Sequence, residues 1–297
     1  MSAAKLASVV LVLAAVGSAS GHTPESSSVR AFPFRASSAP AIDGELGDWD
    51  LVGPRHTLTI EAFDDLVDGP AAASGDFSIV MKVGWCEELN RLYIAAEVSD
   101  DLHQIDRPSG SAASMIFQDD AMEIFVDADH SGVQFAFFAD ASEEDQLRMN
   151  GAEASHFVIA GPHPDGEFFI NFSAAGWYAL ADGPFTAAAF RLDGEVGGPA
   201  VMSYEFMVVP FDRIDVSADF LSVPHDLVAG EILGMNVEFN DYDGRSDLLD
   251  AKWALSGGFN SFRLSERFTD LVLDFPSEPT LVEGRSWGRI KASIGLK

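Results

Sequence analysis

Arg91-Leu92-Tyr93-Ile94-Ala95-Ala96-Glu97-Val98 (RLYIAAEV) and Met122-Glu123-Ile124-Phe125-Val126 (MEIFV) decide the fold class. The first alternates apolar and polar residues, the period of a strand with two different faces. The second is a short apolar burst of the length that a core strand needs. Comparable runs recur at 56–62, 77–84, 133–139, 156–160, 167–172, 185–191, 201–208, 232–239 and 268–274. Turn pairs lie between them: Asp43-Gly44, Asp165-Gly166, Asp193-Gly194 and Asp243-Gly244, with Pro108-Ser109-Gly110 and Asp129-His130-Ser131-Gly132. Many short strands with Asp-Gly turns, and no sustained 3.6-residue period, predict an all-β fold, an antiparallel β-sandwich of jelly-roll type. The only helix expected is a short turn near 211–215.

Working outward from these runs, residues 40–275 read as one domain. Residues 22–39, rich in Ser and Pro, read as a flexible leader. The first 21 residues have the three parts of a secretory signal peptide: Lys5, an apolar run at 6–16 (LASVVLVLAAV), and small residues at Gly17-Ser18-Ala19. That run is about half the roughly 20 residues of a spanning helix, so no membrane span is expected. The protein is therefore expected outside the cytoplasm, secreted or periplasmic. Residues 276–297 read as a linker, Pro276-Ser277-Glu278-Pro279, and a locally basic tail, RSWGRIKASIGLK.

The chain of 297 residues has 18 Lys plus Arg against 47 Asp plus Glu, a formal charge of −29. That excludes nucleic acid as a partner, because phosphate recognition needs a basic face. Lysine is confined to positions 5, 82, 252, 291 and 297. The 23 phenylalanines and 47% hydrophobic content exclude a disordered acidic chain. A single cysteine, Cys86, cannot form an internal disulfide.

No GxSxG, HExxH or Cys/His pairing is present. Carboxylate pairs such as Asp119-Asp120 are too common here to single out a glycosidase. The seven histidines read as surface residues, and Trp49, Trp85, Tyr93 and Trp253 as core. Asp127 with Asp129, and Asp241 with Asp243, form D-x-D pairs in loops. Such pairs suit structural calcium, and they suit plain Asx turns equally. No other cofactor is expected.

Several segments recur in a recognisable order: Ile42-Asp43-Gly44-Glu45-Leu46-Gly47-Asp48-Trp49, then Val83-Gly84-Trp85, Leu92 to Asp100, and Gln118 to Asp127. Tyr204-Glu205-Phe206 and Gly234 to Asp241 complete the series. In this order and spacing, residues 40–274 resemble the family 9 carbohydrate-binding modules. The resemblance implies a noncatalytic β-sandwich that binds a glycan end or short oligosaccharide; such modules are often joined to hydrolases that break down polysaccharide. It implies two aromatic rings clamping the sugar, at Phe117 before D-x-x-E-I-F and at Phe262 within Asn260-Ser261-Phe262-Arg263. It also implies Asp100 and Arg263 as hydrogen-bonding partners of sugar hydroxyls. Both clamp positions tend to be Trp in the family, and Ala136 stands where a basic residue is expected. Phe offers less area than Trp and no N–H donor. Two other readings are a haem-binding redox module of related fold, using Met115, Met149 or Met235, and a structural surface protein with a vestigial groove.

Overall fold

The computed structural model describes residues 28–69, 76–244 and 248–276. The signal segment and residues 277–297 of the tail lie outside the described residues. The strands are β1 (Ser28–Pro33), β2 (Thr57–Thr59), β3 (Asp64–Asp65), β4 (Ser78–Cys86), β5 (Arg91–Asp100), β6 (Ala121–Asp127), β7 (Ser155–Ile159) and β8 (Phe169–Asn171). They continue as β9 (Thr186–Gly194), β10 (Ala200–Val208), β11 (Phe211–Arg213), β12 (Val223–Pro224), β13 (Ile232–Asp241), β14 (Ala251–Ala254) and β15 (Thr269–Leu273). Among the described residues there is one α-helix, α1 (Glu143–Met149), capped by Ser142, whose hydroxyl accepts from the Asp145 amide at 3.1 Å.

The main sheet runs β8-β7-β6-β13-β15-β1-β4-β5-β10-β9, with β14 on β13, β3 on β14 and β2 on β4. The expectation of a purely antiparallel sandwich is corrected in two respects. The sheet is mixed, because β1 pairs in parallel both with β15, through Ser28 to Ala31, and with β4, through Phe32 and Pro33. It is also one continuous path, because β1 crosses from one half to the other. The path turns back on itself: Phe168, beside β8, meets Phe190 of β9 with ring centroids 5.3 Å apart. Residues 28–39 are therefore no flexible leader. Val29 and Ala31 are core residues, and alternate positions of this short stretch supply enough apolar surface to seat it.

Period two accounts for the core. Leu92, Ile94, Ala96 and Val98 of β5 point into one large cluster with Ile124, Phe157, Val237 and Leu271 from the other half. Tyr93 and Ala95 point the opposite way, into a smaller cluster with Phe34, Trp49 and Cys86. Trp49, Trp85, Tyr93 and Trp253 are all buried, as expected.

The Ile42 to Trp49 segment is held by one carboxylate. Glu205 of β10, fully buried, accepts from Trp49 Nε1 at 2.9 Å, Gly44 N at 2.7 Å and Asp43 N at 2.9 Å. Gly44 has φ +86°, and a Cβ there would sit 3.1 Å from the Phe190 backbone, so only glycine fits.

Two local expectations fail. Residues 133–139 form no strand beyond an isolated bridge at Gln134. Phe137 is left-handed (φ 59°), and the Gln134 side chain donates to the Ala136 and Phe137 carbonyls, bending the segment into a loop. Residues 211–213 are strand β11, paired with β12, where a helical turn was expected.

Candidate functional site

A cavity of about 350 Å³ opens over the β14-β13-β6-β7 part of the sheet. Its rim is aromatic. Phe117 closes the 3-10 turn 113–118, Phe262 lies in the segment after β14, and both line the cavity, 38% and 41% exposed. Phe137 packs edge-on against Phe262, with ring centroids 5.3 Å apart. Phe172 tilts against Phe117 at 6.4 Å and stacks on His156 at 4.6 Å, and His156 stacks in turn on Phe125 at 4.1 Å.

The floor is charged. Glu123 of β6 and Glu238 of β13 stand directly opposite each other across the two strands, a repulsive pairing on its own. Lys252 of β14 resolves it, with Nζ 2.7 Å from Glu123 Oε1, 2.7 Å from Glu238 Oε2 and 2.8 Å from Asn240 Oδ1. His156 Nε2 lies 2.7 Å from Glu123 Oε2, and Asn240 Nδ2 donates to Glu123 Oε1 at 2.8 Å. Asn236 Nδ2 donates to Glu238 Oε1 at 2.8 Å, and the Ser261 hydroxyl donates to the same oxygen. Burial alone would raise Glu123, but Lys252 and His156 hold it well below the ordinary carboxylate range. Burial would likewise lower Lys252, and the two glutamates push it up instead. The result is a wall of apolar ring faces above a floor of fixed donors and acceptors. That combination suits a neutral, hydroxyl-rich ligand with a flat C–H face.

Four of the positions singled out in the sequence sort into two groups. Phe117 and Phe262 are brought to one cavity. Asp100 and Arg263 do not line it. Asp100 ends β5 in the other half of the sheet, where its Oδ1 accepts from Leu102 N at 2.9 Å. Arg263 supports the loop through its backbone, its carbonyl accepting from Phe135 N at 3.0 Å. Ala136 lines the cavity, so no base projects from that wall; Lys252 supplies the cation from the floor. The sequence reading missed Glu123, Glu238, Lys252 and His156. His103, His156, His163 and His225 are buried rather than on the surface.

Asp127 and Asp129 shape a turn. Asp127 accepts from Gly132 N at 2.9 Å, Ser131 N at 3.3 Å and the Ser131 hydroxyl at 3.2 Å. Asp129 is pushed up by burial and by the neighbouring Asp127. Among the described residues, donors converge elsewhere: Asp100 with His103 and Asp120, Asp100 with Asp241 and Asp243, and Asp76 with Asp101 and Asp243. There, burial and the surrounding carboxylates push Asp241 up to about 8, and burial pushes Asp120 up to about 7.

Residues 42–158 match the sequence model of the carbohydrate family 9 binding domain-like family. Over that stretch the sequence is CBM9-like. Two solved structures share the fold, both family 9 carbohydrate-binding modules from Caldicellulosiruptor kristjanssonii. The one in complex with cellotriose is 16% identical, covers 87% of this chain and 100% of its own, and has a TM-score of 0.50. The one in complex with glucose is 16% identical, covers 84% and 97%, and has a TM-score of 0.51. No curated protein matches the chain. The match spans the Glu205-held turn at Asp43 and Gly44, Phe117, and Glu123 of the floor; Glu238, Lys252 and Phe262 lie beyond it. Among the described residues, no helix is long and apolar enough to cross a membrane.

Proposed function

We propose that this CBM9-like chain is an exported, noncatalytic carbohydrate-binding protein that holds a sugar unit between Phe117 and Phe262. One observation carries the reading: two half-exposed rings, 145 positions apart in the chain, line the same cavity above the Glu123-Lys252-Glu238 floor. Pyranose C–H faces lie against the rings, while ring hydroxyls meet His156, Lys252 and the two glutamates. The ligands of the two similar structures, glucose and cellotriose, name the first probes. The smaller Phe rings imply weaker retention than a Trp pair would give.

The test is a glycan-array screen followed by titration of the best hit into the parent chain, Phe117→Ala and Phe262→Ala. The reading expects a saturable hit that each substitution weakens. An array without any retained glycan at millimolar concentration would overturn it and leave a structural surface protein with a vestigial groove.

A further inference from the structure

The aromatic cavity has a neighbour. Phe172 and Asn150, which line it, also line a groove of about 340 Å³. The 3-10 turn 113–118 serves both spaces: Phe117 reaches the cavity and Ser114 reaches the groove. Leu147 of α1, Ile170 of β8 and Phe172 give the groove an apolar strip. Leu147 is 61% exposed, although Glu144, Asp145 and Arg148 around it on the helix are charged. Ser114 and Asn150 add polar groups beside that strip. Asn150 Oδ1 accepts from Phe137 N at 3.1 Å, which ties it to the cavity rim, while its Nδ2 meets no partner among the described residues. None of the described residues lining the groove is charged, in a chain with 47 acidic and 18 basic residues.

An apolar strip beside free amide and hydroxyl groups suits a ligand with a flat C–H face and hydroxyl edges. Another cavity of similar size, about 390 Å³, is lined by Arg148, Glu153, Arg213 and Asp215 and shares no residue with the aromatic one. The uncharged groove is therefore the natural continuation for a neutral ligand. We propose that it is a second saccharide subsite, holding the next unit of a neutral glycan whose first unit lies between Phe117 and Phe262. The inference rests on the carbohydrate reading of the cavity and extends it from one sugar unit to an oligosaccharide. The linkage passes over Phe172 and Asn150, the residues common to both spaces. Stacking of Phe172 on His156, with ring centroids 4.6 Å apart, fixes that divide. Asn150 then has two roles: its Oδ1 holds the rim loop, and its Nδ2 donates to a hydroxyl of the second unit.

Calorimetric titration of the full chain with glucose, cellobiose and cellotriose reads the subsite as a dependence on length. Ala174→Trp puts a bulky ring at an exposed groove position that does not line the aromatic cavity. Asn150→Asp keeps the acceptor for Phe137 N and removes the free donor. Expected are a gain of about tenfold from glucose to the longer probes, its loss in Ala174→Trp with glucose binding unchanged, and its reduction in Asn150→Asp. Circular dichroism checks that both variants fold. Equal binding of glucose and cellotriose by the parent chain overturns the subsite and leaves the carbohydrate reading standing. A gain that survives Ala174→Trp also overturns it, because the longer probe then lies wholly within the aromatic cavity. Retention of none of the three probes overturns the subsite as well, and the glycan array decides the carbohydrate reading separately.

Discussion

The cavity floor and the Asp100-Asp120-Asp241 cluster are built on the same strand, and they treat buried charge in opposite ways. Glu238 and Asn240 of β13 belong to the floor, where Lys252 sits within 2.8 Å of two carboxylates and an amide oxygen. Asp241, the next residue, joins a cluster in which no lysine or arginine sits among the described residues, and His103 Nδ1 lies 3.4 Å from Asp120 Oδ2. The titration behaviour divides accordingly: Glu123 is held low, while Asp241 is pushed up to about 8. A region that carries its own countercharge is complete as the chain folds. A region that lacks one has a charge that follows pH.

The sharpest way to break this contrast is to make the floor resemble the cluster. Lys252→Met leaves Glu123 and Glu238 facing each other without their shared lysine, with His156 still on Glu123, and is expected to destabilise by about 3 kcal/mol in urea unfolding. The converse change, Asp241→Asn, is expected to stabilise the chain in urea unfolding by on the order of 1–2 kcal/mol, because it removes repulsion rather than pairing.

Phe117→Ala and Phe262→Ala sit at the rim, outside both charge networks. Each is expected to reduce glycan retention about tenfold, roughly 1.4 kcal/mol, with urea midpoints nearly unchanged. Titration calorimetry with the best array hit measures it.

Acid sharpens the comparison further. Glu123 has a folded value below its ordinary 4.5, so its contribution is present above that pH and is lost as pH falls through the lowered value. In Lys252→Met this acid-side loss should shrink, as thermal melts between pH 5 and pH 2 would show. The smallest effect belongs to His225, which lies 2.5 Å from Asp212 and 3.1 Å from Glu231. Burial alone would lower it, and the two carboxylates raise it above the ordinary 6.5. Its contribution is full below that pH and fades as pH rises through the raised value. His225→Asn should flatten the melting temperature between pH 6 and pH 9.

Much of the strand layout was legible because period-two runs such as 91–98 and apolar bursts such as 122–126 are local signals. The two rim rings were legible through their neighbours in the sequence, the D-x-x-E-I-F and N-S-F-R segments. The floor was not. Glu123, His156, Glu238 and Lys252 come from four strands, and nothing local marks a glutamate in β6 as the partner of a lysine in β14. Asp100 was read as a ligand for sugar because it ends a recognisable strand; register alone decides that it faces Asp120 and Asp241. Residues 133–139 carry strand-like composition, yet a left-handed Phe137 and the Gln134 side chain make them a wall of the cavity. Strand β1 hid in a Ser- and Pro-rich stretch because its partners, β4 and β15, are distant in sequence.

Those partners set an order of assembly. Phe32 and Pro33 meet β4 some fifty residues on, whereas Ser28 to Ala31 find their neighbour only at Asp270 to Leu273, so half of this strand's pairing waits for β15. Such a sheet is sealed by a contact of long sequence separation, the kind that forms slowly because the intervening loop must first be closed.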